Sequence, residues 1–153
     1  MLEQALRDLS AWVERGVRPP TNTRYTMVES QVHVPPRAEQ RGGIQPVVSL
    51  TANGRERADV GVGEPVTFVA EITVPPGTGK VVAAEWDLVG AGDYPVTGQL
   101  AAPDSSVSVK TTYAYSQPGT YFPVLRATAQ RDGDAKTPYA RVQNLGRMPV
   151  VVK

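Results

Sequence analysis

Nucleophilic catalysis needs a serine, threonine or cysteine beside an oriented base, usually histidine. The 153 residues contain one histidine, His33, and no cysteine. His33 lies just ahead of Pro35-Pro36, and no Gly-x-Ser-x-Gly elbow occurs anywhere in the chain. His33 is therefore read as a solvated side chain, and no catalytic residue is assigned. Glu85 and Asp87 stand two apart, on one face of a strand. Paired carboxylates roughly 5 to 10 Å apart can hydrolyse glycosides when they line a cleft, but a flat sheet face supplies none. Both are expected on a solvated outer face, with Asp87 accepting hydrogen bonds from a turn. Calcium takes about six to eight oxygen ligands. Asp87 with Asp93, or Asp132 with Asp134, would start such a set, yet neither run has the density of acids that a calcium loop carries. No metal and no cofactor are expected. Gly61-Val62-Gly63 and Gly90-Ala91-Gly92 lack the strand-to-helix setting of a phosphate cradle and read as turns.

Charge narrows the partners. The chain has 16 basic and 15 acidic side chains, divided 6 and 5 over residues 1–46 and 10 and 10 over residues 47–153. Neither part forms a polybasic surface for nucleic acid or anionic lipid. No run approaches the roughly 18 apolar residues of a membrane helix, so no membrane insertion is expected. The opening Met1-Leu2-Glu3-Gln4 places an acid where a signal peptide wants positive charge. An export signal, if the protein has one, is expected upstream.

The elements that would position any site fall into three parts. Leu2, Ala5, Leu6, Leu9, Trp12 and Val13 recur at helical spacing, and Gly16 with Pro19-Pro20 ends the pattern. Residues 1–16 thus form an amphipathic helix. A helix of about 15 residues is marginal alone in water, so its apolar stripe needs a partner: the following domain, or a surface outside this chain. Residues 17–46, with Pro19, Pro20, Pro35, Pro36, Pro46 and Gly42-Gly43, read as an extended linker with one brief strand near Val28 to Val34.

From residue 47 onward the period is two. Val66, Phe68, Ala70, Ile72 and Val74 form one inward set. Val82, Ala84, Trp86 and Leu88 form a second, and Val107, Val109, Thr111, Tyr113 and Tyr115 a third. Tyr121, Leu125 and Ala127 form a fourth. Short pieces at Val48 to Ala52, Val96 to Leu100 and Met148 to Lys153 bring the count to about seven, which gives an all-β, antiparallel β-sandwich over residues 47–153. Both tryptophans are expected inside. Residues 131–147 read as a long loop.

Three clusters in this region resemble the PKD domain, an immunoglobulin-like module common in bacterial secreted enzymes and surface proteins. They are Val62-Gly63-Glu64-Pro65-Val66-Thr67-Phe68, Glu85-Trp86-Asp87-Leu88 with Gly90-Ala91-Gly92-Asp93, and Tyr115-Ser116-Gln117-Pro118-Gly119-Thr120-Tyr121. The resemblance implies an immunoglobulin-like sandwich with Trp86 between the sheets and a structural signature of Trp86, Asp87, Tyr115, Pro118, Gly119 and Tyr121. Tyr115 and Tyr121 would flank the turn with their hydroxyls at the surface. Pro123 departs from the family pattern and suggests an edge or bulged strand. The first 25 residues resemble the closing helix of a bacterial α/β-hydrolase of esterase type, through Ala5-Leu6, Leu9, Trp12-Val13, Gly16 and Pro19-Pro20.

Together the resemblances imply a non-catalytic accessory module, extracellular or at the cell surface, of a larger hydrolase. Its partner would be the catalytic domain of the parent, an extracellular protein or a polysaccharide. One alternative is a fragment that an esterase-like domain requires for its fold; another is a carbohydrate-binding module. If Tyr121 and Leu125 face inward, Phe122 and Val124 face outward. With Tyr94, Tyr139, Val142 and Leu145 they form the candidate interaction surface, unless the 131–147 loop or the N-terminal helix folds over them.

Overall fold

The computed structural model describes the chain from residue 2 onward; Met1 and the side chain of Leu2, with its expected place on the helix stripe, lie outside the described residues. An N-terminal arm comes first. Helix α1 spans Leu2–Arg15, strands β1 (Thr26–Val28) and β2 (Gln31–His33) form a hairpin, and α2 (Ala38–Arg41) adds one helical turn. The sandwich follows, with β3 (Val47–Ala52), β4 (Ala58–Val60), β5 (Pro65–Thr73), β6 (Lys80–Asp87) and β7 (Val96–Thr97). It is completed by β8 (Ser106–Ala114), β9 (Gly119–Tyr121), β10 (Val124–Gln130), β11 (Arg141–Arg147) and β12 (Val150–Val152).

One layer is the antiparallel sheet β3-β5-β8 and the other is β11-β10-β6-β7. A short third set, β4-β12-β9, includes one parallel pair, β12 with β4. This is an immunoglobulin-like β-sandwich. Alternation builds its core: Val66, Phe68, Ala70 and Ile72 of β5 face Val81, Ala84 and Trp86 of β6 and Leu125 and Ala127 of β10, all fully buried. Trp86 is the largest of these, with its ring centroid 6.1 Å from that of Phe68. Gly146 is needed for closure, because a Cβ there would collide with the Val48 side chain where β11 meets β3.

The last four strands amount to one long hairpin broken in the middle. Val124 opposes Arg147 and Tyr121 opposes Val150, so a single register runs from β10-β11 into β9-β12. Between the two halves lie Phe122-Pro123 on one strand and Met148-Pro149 on the other. Prolines have no amide to give to the ladder, and the one bond across the gap runs from the Met148 N–H to the Pro123 carbonyl, at 3.4 Å. Pro123 therefore interrupts a strand without marking an edge, since β10 lies between β6 and β11.

Several expectations are corrected. Residues 141–147 are strand β11, paired with β10 along its full length, so only residues 131–140 form a connection. The sparse apolar content of Arg141-Val142-Gln143-Asn144 hid the period. Val81 is buried in place of Val82, because the β6-β10 register shifts between Thr128 and Ala129 and the extra residue of β6 turns the side chains over. Residues 17–46 are not simply extended. The hairpin reverses at Glu29-Ser30, both at positive φ, as a two-residue hairpin turn demands. Thr23 bridges to Gly42, the Arg24 N–H donates to the Arg41 carbonyl at 2.6 Å, and Ala38 is buried. Trp12 is half-exposed, not inside.

Removing the central ring tests this packing. Trp86→Ala should cost about 3 to 5 kcal/mol in urea unfolding, and a loss under about 1 kcal/mol would contradict the placement of Trp86 between the layers.

Candidate interaction face

Strand β6 ends on two residues that point opposite ways. Trp86 enters the core, and Asp87 turns toward the loop that follows it. That loop curls back over the carboxylate. Asp87 Oδ1 accepts from the N–H groups of Val89 (3.2 Å), Gly90 (2.7 Å) and Ala91 (3.1 Å), and Oδ2 accepts from Gly92 at 2.7 Å. Positive φ at Gly90 and Gly92 lets successive amides converge on one anion. Asp87 is thus buried, not on a solvated outer face, and its oxygens are already engaged by four donors. Burial pushes its carboxyl up, but the amides of Gly92, Ala91, Gly90 and Val89 together outweigh that and hold it below the usual carboxylate range. Asp93, in the same loop, is exposed.

Tyr115 closes the loop from the other layer. Its hydroxyl donates to the Leu88 carbonyl at 2.8 Å and is buried, contrary to the expected surface position. Burial, followed by the neighbouring Tyr113 and Tyr121 and the Asp87 carboxylate, pushes that hydroxyl's pKa up. The Tyr115 ring stacks on Tyr121 at 4.2 Å between centroids, and the Tyr121 hydroxyl donates to the Gln117 carbonyl. Pro118 is exposed in the intervening turn, and Gly119 opens β9 opposite Val152.

Four of the six expected surface residues gather on the outer face of the β11-β10-β6-β7 sheet. Leu125, Ala127 and Ala129 face the core, so Val124 and Arg126 face out, opposite Arg147 and Leu145 of β11. On its other side Arg126 opposes Glu85, with Nε and the terminal amine each 3.0 Å from Glu85 Oε2. Its guanidinium lies 4.1 Å from the centroid of the Tyr94 ring, and that of Arg147 lies 5.4 Å from the Phe122 ring. Phe122 and Leu145 remain 45% and 54% exposed, while Tyr94 and Val124 are half-buried.

The other two residues lie elsewhere. Tyr139 sits in the 131–140 connection beneath the Arg7 guanidinium of α1, at 4.8 Å. Val142 opposes Ala129 on the core side and lines a small cavity with Gln4, Ile44 and Ala129, so it does not belong to an outer face. Arg126 and Arg147 were missed in the sequence although the signal was present, since each stands two residues beyond an outward position, Val124 and Leu145. His33 is exposed on β2. Asp132 and Asp134 form a turn whose two N–H groups donate to Gln130 Oε1 at 2.7 and 2.9 Å.

No family model and no curated protein matches the chain. Among solved structures it is similar to the CARDB domain of a Pyrococcus furiosus protein, determined in complex with di-metal ions. The two share 13% sequence identity with a TM-score of 0.48, over 71% of this chain and 93% of that one.

Two substitutions test the loop that frames this face. Because the folded carboxyl of Asp87 is held below its unfolded value of about 3.9, its ionised form stabilises the fold above that pH, and the contribution fades as pH falls toward the folded value. Asp87→Asn should therefore lose about 1 to 3 kcal/mol at pH 7, with the deficit shrinking in urea titrations below about pH 4. A deficit that does not change with pH would contradict the cradle. Tyr115→Phe leaves the Leu88 carbonyl unpaired and should cost about 1 to 3 kcal/mol by the same measurement; an unchanged midpoint would contradict the buried bond.

Proposed function

We propose that this chain is a non-catalytic accessory module of PKD type, part of a larger exported bacterial hydrolase, which docks onto a protein surface through the outer face of β6, β10 and β11. The protein surface is that of the attached hydrolase domain or of a neighbouring extracellular protein. One observation carries the proposal. Two guanidinium-aromatic pairs, Arg126 with Tyr94 and Arg147 with Phe122, flank the exposed Leu145 on a single face. Aromatic residues and arginine are the types enriched in protein interfaces and their energetic centres.

The pairs also bear on the carbohydrate alternative. Sugar rings stack on open aromatic faces, as other flat apolar groups do. Tyr94 and Phe122 each have a guanidinium over one ring face, so they do not form a bare planar row. Arg126 is already held by Glu85, so a protein partner with a carboxylate for Arg147 and apolar side chains for Leu145 satisfies more of what this face offers.

The combined substitutions Phe122→Glu and Leu145→Glu put charge at the centre of the face without touching the core. Calorimetry against the separately produced hydrolase domain should show binding weakened at least about tenfold, with Tm nearly unchanged. Equal affinity would overturn the proposal, as would retention on insoluble polysaccharide that the same substitutions abolish.

A further inference from the structure

Helix α1 meets the sandwich through its polar side. Asp8 accepts from both terminal amines of Arg131 at 3.0 Å, Gln4 donates to Asp8 at 3.0 Å, Arg7 covers Tyr139, and Ala11 is buried between them. At 3.6 residues per turn this puts the apolar stripe on the far side. Leu6, Leu9, Trp12 and Val13 are 58%, 50%, 50% and 77% exposed. An amphipathic helix normally does the reverse. The sandwich therefore does not supply the partner that the stripe needs.

We infer that α1 is a self-association surface, and that a second copy of this chain covers it in an antiparallel helix pair related by a two-fold axis. Two observations select this occupant. Leu6, Leu9 and Val13 follow one another at alternating spacings of three and four, the seam that two facing helices share. The outward half of α1 is nearly free of charge. Glu3, at its margin, is tied to Arg7 at 2.9 Å, so two copies meet without repulsion. The same lack of outward Lys and Arg argues against an anionic lipid surface, which selects basic helices. The antiparallel arrangement also sets opposite ends of the two helix dipoles side by side.

Size agrees. The exposed parts of Leu6, Leu9, Trp12, Val13 and Val17 come to on the order of 500 Å² of apolar surface. That is close to the apolar share of the about 800 Å² that each partner buries in a standard interface. Beside the seam runs a groove of about 530 Å³ lined by Leu9, Trp12, Pro19, Pro20 and Ile44, which gives the partner helix a second wall to rest on. This surface is separate from the β6-β10-β11 face, and the inference stands without the docking proposed there.

Sedimentation equilibrium of the whole 153-residue protein, from about 1 to 100 µM, tests it. A dimer is expected in that range. Leu9→Glu with Val13→Glu should weaken it at least about tenfold and leave Tm nearly unchanged, because Leu9 is 50% and Val13 77% exposed. Phe122→Glu with Leu145→Glu should leave the dimer intact. A wild-type protein that stays monomeric at 100 µM would overturn the inference. So would a dimer indifferent to the Leu9 and Val13 substitutions, or one lost through Phe122 and Leu145. Preferential binding to phosphatidylglycerol vesicles that Leu9→Glu with Val13→Glu abolishes, with no dimer in their absence, would assign the helix to lipid and overturn it equally.

Discussion

The structure depends on what happens at two successive residues of β6. A strand must send Trp86 and Asp87 in opposite directions, so an indole is committed to the core and the next side chain, a carboxylate, lies at its rim. A buried carboxylate without partners would be very costly, and the loop from Leu88 to Gly92 answers by folding four amides onto it. Once curled, the loop presents the Leu88 carbonyl to Tyr115, so a hydroxyl reached from the β8 side ties the two layers together beside the tryptophan. The two glycines are constrained by this. Gly90 approaches the Phe122 carbonyl so closely that a Cβ would stand 3.3 Å from it, and both need positive φ.

The outer face follows from the same loop. It delivers Tyr94 over Arg126, and it abuts the chain at Phe122, where the prolines break the long hairpin. The break shapes the proposed docking face as well as the topology. Without the ladder across Phe122-Pro123 and Met148-Pro149, Phe122 stands out beside Arg147. The arm has a different logic. Among the described residues, ten of the fifteen exposed large hydrophobic side chains lie between Leu6 and Val34. Its polar side fixes where α1 sits, through the partly buried Asp8 and Arg131, and its apolar side is left exposed.

Much of the sandwich was legible because burial writes a period of two into strands such as β5, where Val66, Phe68, Ala70 and Ile72 alternate without fault. The depth of Trp86 could be read in the same way. Legibility failed where a local event changes the parity or the contrast. The bulge near Val82 exchanged it for Val81. Strand β11 has a half-exposed inner side at Val142 and Asn144 and so shows little alternation. The hairpin at Glu29-Ser30 lacks the glycine or asparagine that marks such turns. The direction in which α1 faces was not readable at all, because a stripe states only that a partner exists, whereas the pairing of Asp8 with Arg131 spans 123 residues of sequence. For the interaction face, Phe122, Val124 and Leu145 followed from alternation, while the arginines that join them to aromatic rings needed the register between strands.

The central claim is that the Asp87 loop belongs to the same cooperative unit as the tryptophan core. Native-state amide hydrogen exchange measures this directly. The amides of Val89, Gly90, Ala91 and Gly92 should exchange only through opening as costly as that of the β6 and β10 core amides. Exchange of those four at the rate of an open surface loop, while the core amides stay protected, would contradict the account.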